Sequence, residues 1–466
     1  MILKNLKSII ENSFGFRLNK NQFRDVERLI FEIRRSQNTT LEDIIGSLKK
    51  LVKIEKISGK NKFFILREEL IRRRFPMTST RQKINAQDIF LNNVPVPLAL
   101  KWPVKKKFLP LTIFAEKSVQ DSLLLKNFQK HYPKTPVKIL NHYTDYLKIN
   151  KFNLTELKKP LVFIIKEKWD FLKPCPCTKY HLRCGYWIFN LGFGCPYDCS
   201  YCFLQQYSNF PGIILPANLE DFFEKFDHFN QKLSSPIRIG TGEFCDSLAL
   251  DEITEYSKNL IPYFKNKNVF FELKTKSAQI QNILSIEPAD NIIVSWSLNP
   301  QKIIQTEEKG APYLLERLKA AQLVQKKGYR IGFHFDPIIP FDNWENLYKN
   351  TIELLYGHLK APFAWISLGT LRCNRRLKTI VEQRIPKTNI FYTELLKGED
   401  KKLRYPKFIR KNIYNTIIKH LRKYDAKTPV YLCMEDKDVW DVLGKSFNNT
   451  SEIERYILNW KNKSVI

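Results

Sequence analysis

The sequence predicts an α/β protein: a partial (β/α)6 barrel of TIM type, with an N-terminal helical extension and a basic C-terminal α/β segment. Three observations predict it. From about residue 107, apolar runs of strand length alternate with amphipathic stretches of about 10–15 residues, the pattern of parallel strands joined by crossover helices. Polar motifs follow directly on several strand-like runs, where barrels carry their chemistry. The first hundred residues lack this alternation and keep only the helical period.

The elements follow in order. "NQFRDVERLIFEIRRSQ" sets Val26, Leu29, Ile30 and Ile33 on one helical face, and "TTLEDIIGSLKKLVKIEKI" gives a second helix capped by Thr39 or Thr40. "NKFFILREEL" reads as a strand or the start of another helix, so residues 1–105 form a helical, winged-helix-like module. Its end, from Arg72 to Lys107, is strongly basic: a nucleic-acid contact or a solvated linker. Residues 106–185 are a lead-in segment with strands at "LTIFAE", "VKILNHY" and "LVFIIKEK" and a helix at "DSLLLKNFQKHY". Residues 186–385 hold the barrel. Its later strands are "IRIGTGEF", "NVFFELKTK", "NIIVSWSLN", "RIGFHFDPIIP" and "FAWISLGTLR". The helices between them are "LEDFFEKFDHFNQKL", "ALDEITEYSKNLIPYFK", "SAQIQNILSI", "YLLERLKAAQLVQKKG" and "WENLYKNTIELLYGHL". Residues 386–466 are the basic C-terminal segment.

A length of 466 residues exceeds one small core, and 43% hydrophobic residues suffice to bury a large one. No run of 18 uncharged apolar residues appears, and the N-terminus carries no long apolar stretch or small-residue cleavage site, so a cytoplasmic protein is expected. Thiols stay reduced there, and clustered cysteines point to metal or catalysis before disulfides. The net charge is +30, from 77 Lys+Arg against 47 Asp+Glu. Part of it reflects a composition rich in Lys, Asn and Ile. The surplus still favours a phosphate-bearing partner such as nucleic acid.

Three of the 9 cysteines, Cys195, Cys199 and Cys202, fall in "GCPYDCSYCF". Three thiolates on one tight loop can hold three corners of a cubane iron–sulfur cluster and leave the fourth iron open to a small molecule. A zinc site is the alternative, and it would need a fourth ligand. Cys175, Cys177, His181 and Cys184 lie just upstream, and could instead hold a second metal or cluster or be reduced structural thiols. Cys373 and Cys433 stand in apolar strand contexts and read as core. His334 and Asp336 follow the fifth strand's apolar run, with His334 read as a satisfied half-buried polar group.

The C-x3-C-x2-C spacing followed by an aromatic resembles the radical S-adenosylmethionine superfamily. That resemblance implies a [4Fe–4S] cluster on Cys195, Cys199 and Cys202. It implies that the "GTGE" turn, Gly240 to Glu243, receives the methionine amino group, with Gly240 and Gly242 allowing close approach and Glu243 accepting from the ammonium. It implies that Lys274 and Lys276 face the methionine carboxylate, with Ser297, Asn299 and Asp336 completing the cofactor site.

More of the chain, from about 107 to the C-terminus, is similar to the spore photoproduct lyase family. The stretches that carry this are "GCPYDCSYCFLQ", "DSLALDEIT", "VSWSLNP", "ERLKAAQLVQKKGYRIGFHFDPI", "VEQRIPKT" and "KLRYPK". The resemblance implies a radical S-adenosylmethionine core in which a 5′-deoxyadenosyl radical takes a hydrogen from a cross-linked thymine dimer in DNA. It also implies a carbon–carbon lyase acting in DNA repair, with an external electron donor such as flavodoxin or ferredoxin. A lesion in a duplex would have to be flipped out. Two positions depart from the family: Phe203 stands where its repair enzymes carry a hydrogen-returning Tyr, and Glu243 stands where they carry a donor Cys. Cys245, two residues on, is a candidate displaced donor or a small buried residue. The segment 401–414 resembles the family's DNA-wedging hairpin and nominates Lys402, Arg404, Lys407 and Arg410, with Asp246, for nucleic acid. Modification of RNA or a nucleotide is the alternative activity; a zinc-stabilised nucleic-acid-binding protein is the alternative class.

Overall fold

Strand-forming runs rich in Ile, Val and Phe assemble into two mainly parallel sheets. The computed structural model describes residues 5–51, 59–79, 107–168, 171–177 and 181–458. In chain order the strands of these sheets are β1 (Thr112–Glu116), β2 (Val137–Leu140), β3 (Leu161–Ile165), β4 (Leu172–Pro174), β5 (Tyr186–Phe189) and β6 (Ile213–Pro216). Then follow β7 (Ile237–Thr241), β8 (Val269–Thr275), β9 (Ile292–Ser297), β10 (Arg330–Ile338), β11 (Ile366–Thr370) and β12 (Val430–Leu432). The smaller sheet has the order β2-β1-β3-β6, parallel throughout. The larger has the order β12-β11-β10-β9-β8-β7-β5-β4, parallel except for β4 against β5.

The six barrel strands expected from the sequence are β5 and β7 to β11. A seventh parallel strand, β12, comes from the C-terminal segment, and the antiparallel β4 comes from the lead-in. The expected lead-in strands form the separate smaller sheet. β3 and β9 are buried along their whole length, as parallel strands covered on both faces must be. The larger sheet curls into a half-barrel. Across its opening the buried Arg238 of β7 donates from Nη2 to the Tyr431 hydroxyl of β12 at 2.8 Å. Its guanidinium also lies 4.2 Å from the centre of the Trp365 ring.

The N-terminal module is helical, with α1 (Leu6–Phe14), α2 (Lys20–Gln37), α3 (Leu41–Leu51) and α4 (Gly59–Arg74). "NKFFILREEL" lies within α4. No strand occurs among the described residues of the module, so it has the helices of the expected winged-helix-like unit without a described wing. Val26, Ile30 and Ile33 of α2 face Ile44, Leu48, Leu66 and Leu70 in a core of the module's own. Asn19 caps α2 in a reciprocal box with Gln22, and the Thr40 hydroxyl accepts from the Asp43 N–H to cap α3. Of the basic run 72–107, residues 80–106 lie outside the described residues.

Candidate functional site

Strand ends and the cysteine loop converge on one cavity of about 440 Å³. Cys195, Cys199, Cys202 and Phe203 form one wall. The turn after β7 supplies Gly242, Glu243, Cys245 and Asp246; the end of β8 supplies Lys274 and Lys276; β9 supplies Ser297. β10 brings His334 and Asp336, the loop after β11 brings Arg372 and Cys373, and a small hairpin brings Lys402.

The cysteine loop is built stiffly. Asp198–Cys199 pairs antiparallel with Glu308–Lys309. The Ser200 N–H donates to the Glu307 carbonyl at 2.8 Å, and Gln205 donates from Nε2 to the Cys199 and Ser200 carbonyls, both at 3.0 Å. All three cysteines are free thiols whose pKa burial pushes up. Among the described residues, no three Cys, His, Asp or Glu side chains gather closely enough to hold one metal ion. Tetrahedral zinc with sulfur at about 2.3 Å would need its ligands in near contact. Three thiols lining a shared cavity, Cys199 buried and Cys195 and Cys202 half-buried, instead fit a larger group, such as a cubane with irons at separate corners.

Opposite the loop, Lys274 Nζ lies 2.6 Å from Glu243 Oε2. Burial alone would lower the Lys274 pKa, but the Glu243 carboxylate outweighs it and holds the ammonium charged. Lys276 Nζ makes no ion pair among the described residues and lies 5.9 Å from the Tyr201 ring centre. Asp336 meets the Arg372 guanidinium at 3.1 Å through both oxygens. Burial pushes the Asp336 pKa up, but Arg372 more than offsets this and keeps it low. Arg372 also donates to Cys433 Sγ at 3.2 Å, so Cys433 is tied to this pair, while Cys373 is buried on the cavity wall. His334 is buried against Glu272 at 2.7 Å.

Several expected site residues are engaged in structural contacts. A Cβ on Gly240 would fall 2.3 Å from the Glu272 carbonyl oxygen, so this glycine serves strand packing. Gly242 does line the cavity, at φ +91°. Asn299 is buried between Glu308 (2.9 Å) and the Tyr348 hydroxyl (2.8 Å). Asp246 staples the β7 turn to the end of β8, accepting from the N–H groups of Leu248, Ala249 and Lys276 and from the Thr275 hydroxyl. Arg404 is buried on Asp400, and Arg410 on Glu435 and Asp436. Lys407 is exposed and paired with Asp438, whereas Lys402 Nζ lies 3.7 Å from the Met434 sulfur and makes no ion pair among the described residues. Upstream, the Cys177 N–H donates to the Cys175 carbonyl at 2.6 Å, while Cys184 is buried and His181 pairs with Asp436 at 3.2 Å.

Arg372, Tyr201 and Met434 line the cavity and were missed from the sequence. Arg372 follows the sixth strand directly, so the strand-end rule that nominated Lys274 could have found it. Met434 could not be found while β12 went unrecognised.

Comparison with known proteins agrees with this architecture. Spore photoproduct lyase of Clostridium acetobutylicum is 25% identical over 239 residues, which is 50% of this chain and 69% of that protein. The Bacillus subtilis spore photoproduct lyase is also 25% identical over 239 residues, 68% of its length. Among solved structures, a spore photoproduct lyase mutant with bound AdoMet and dinucleoside spore photoproduct superposes with a TM-score of 0.62 at 20% identity, covering 70% of this chain and all of that one. Another spore photoproduct lyase, complexed with dinucleoside spore photoproduct, gives a TM-score of 0.61 at 22% identity. The likeness of these structures is one of fold: the same curled half-barrel. The family model for spore photoproduct lyase matches residues 108–428, the whole span from the smaller sheet through the cysteine loop to the helix before β12, and the chain therefore belongs to the spore photoproduct lyase family of radical S-adenosylmethionine enzymes.

Proposed function

We propose that this chain is a DNA lesion-repair lyase that uses S-adenosylmethionine and a [4Fe–4S] cluster. The carrying observation is the convergence of Cys195, Cys199 and Cys202 with the Glu243–Lys274 pair and Lys276 on one cavity. A cluster on the three cysteines would supply the electron that splits S-adenosylmethionine to a 5′-deoxyadenosyl radical. Glu243 would accept from the methionine ammonium, and Lys276, with no ion pair among the described residues, would face the carboxylate. Gly242 would let the backbone come close. Lys402 would meet a nucleic-acid phosphate. The apolar lining residues Phe203, Phe244 and Leu371 would keep water from the reacting groups. The cluster would take its electron from a small carrier such as flavodoxin or ferredoxin.

The hydrogen returned to the product would come from Cys245. Its thiol is pushed up to about 12 by burial, so it keeps its S–H at neutral pH. Phe203 has no O–H to relay that hydrogen, and it packs edge-on to Phe244 with ring centres 6.4 Å apart. This departure favours, as a second reading, a radical enzyme acting on RNA or a nucleotide.

The test is anaerobic turnover of irradiated thymine-rich DNA with S-adenosylmethionine and a reductant. The expected result is loss of the cross-linked dimer with 5′-deoxyadenosine formed in step. Equal 5′-deoxyadenosine without DNA, and unchanged DNA, would remove the repair reading; stimulation by RNA or a nucleotide instead would establish the second.

A further inference from the structure

The N-terminal module lies outside the matched span 108–428, yet it is fastened to the element that holds the cysteine loop. Glu32 of α2 is the hub. Its carboxylate takes Lys378 Nζ at 2.7 Å on one oxygen and Arg74 Nε at 2.7 Å on the other. Arg28 donates to Glu32 at 2.9 Å and forks onto Glu382 at 2.9 and 2.7 Å. Arg35 donates to the Thr388 carbonyl at 2.7 Å. Lys378 and Glu382 lie on the helix Arg375–Arg384. That helix ends in Arg384, buried, which donates to Gln205 and, at 2.9 Å, to Asp198. Gln205 in turn holds the carbonyls of Cys199 and Ser200. A second line runs from Thr388, whose hydroxyl donates to Glu307 at 2.6 Å; Glu307 holds Ser200 through its side chain and its carbonyl.

We propose that the N-terminal helical module is a brace for the cysteine loop, acting through the helix Arg375–Arg384 and Thr388, with Arg384 as the positioning residue. The two lines end on the backbone around Cys199 from different directions. Each link is a directed, charge-bearing or buried hydrogen bond, and a fork such as Arg384 fixes orientation as well as distance. Buried charges hold one geometry because every alternative leaves a charge unpaired. The inference shares with the proposed function only the importance of the loop; its first readout needs no cluster.

The test is amide hydrogen exchange of full-length protein. Glu32→Arg sets four cations together and is expected to release the module, read as faster exchange across 378–394. Exchange of the loop 198–206 should then rise at least tenfold. Arg28→Glu should act in the same direction, and adding Glu382→Arg should restore protection by remaking the pair reversed. Arg384→Ala should loosen the loop while 378–382 stays protected, with Arg384→Lys falling between. In iron-loaded protein the same variants should broaden the electron paramagnetic resonance signal of the reduced cluster and speed iron loss to a chelator. Loop exchange unchanged while 378–394 opens would overturn the brace, and so would no change anywhere in Glu32→Arg. Loop loosening in protein that binds no iron would leave the brace standing and refute the cluster.

Discussion

At the scale of single residues, the site was legible where a side chain's role follows from its place at a strand end. Lys274, Lys276, Ser297 and Asp336 were nominated that way, and all reach the cavity. Asn299 was nominated by the same strand-end rule and Arg410 by its place in the basic segment, and their neighbours, invisible in the sequence, bury both in other pairings. Gly242 offers a sharp test. Its φ of +91° disfavours any side chain, and a Cβ would fall 2.5 Å from the Lys274 carbonyl oxygen. Gly242→Ala is expected to cost about 1–3 kcal/mol of stability, read by thermal melting, and to weaken S-adenosylmethionine binding by more than tenfold in calorimetry. Wild-type affinity would mean that the turn does not meet the cofactor. Cys245→Ala tests a different property. As donor, Cys245 could be removed without losing the cluster or 5′-deoxyadenosine formation. The product, analysed by mass spectrometry, should then shift from repaired thymines to trapped or misquenched species. A normal product would assign the hydrogen to another group.

At the scale of elements, long periodic segments were readable and short edge strands were not. β8 and β10, with 7 and 9 residues, stand out as apolar runs. β4 and β12 have 3 residues each, and their pairing is decided by the sheet they join. The strand β6 follows the cysteine loop in "NFPGIILPAN", where three apolar residues between Gly212 and Pro216 are too few to show a period. The joint between α2 and the helix Arg375–Arg384 could not be foreseen, since its partners lie over 340 residues apart. It carries a pH prediction. Burial works to raise the Glu32 pKa, but Lys378, Arg74 and Arg28 outweigh it and lower it to about 2. A carboxylate held below its unfolded value of about 4.5 stabilises the docked form fully above that pH and loses the contribution as pH falls towards 2. Module release, followed by limited proteolysis after Ser79, should therefore grow from about pH 4.5 downwards and be absent at pH 7. In Glu32→Gln the acid step should vanish, with the module already loosened at neutral pH. A wild-type acid step that survives in Glu32→Gln would assign it to another group.

At the scale of the whole molecule, the question is whether a charge of +30 is a working surface or a by-product of composition. The structure narrows it. Many basic side chains are spent internally: Arg238, Arg317, Arg384, Arg404 and Arg410 are all buried. Lys407, though exposed, is paired. Lys402 stands differently, on the cavity wall with no carboxylate within ion-pairing distance among the described residues. Burial and nearby Arg372 lower its pKa, the mark of an ammonium short of a counter-charge, which an incoming phosphate would supply. If the surface works on nucleic acid, binding must release counterions. A footprint of about five phosphates gives a slope of about −4.5 in a plot of log K against log salt. Lys402→Ala should weaken binding across all sequences and make that slope shallower by about 1, while leaving S-adenosylmethionine affinity and iron content as they are. Lys407→Ala should change the slope little, because its charge is already balanced by Asp438. Fluorescence anisotropy on a short thymine-rich duplex from about 50 to 300 mM salt reads all three proteins. A slope near zero in the wild type would make the excess charge compositional, and an unchanged slope in Lys402→Ala would move the phosphate contact away from the cavity.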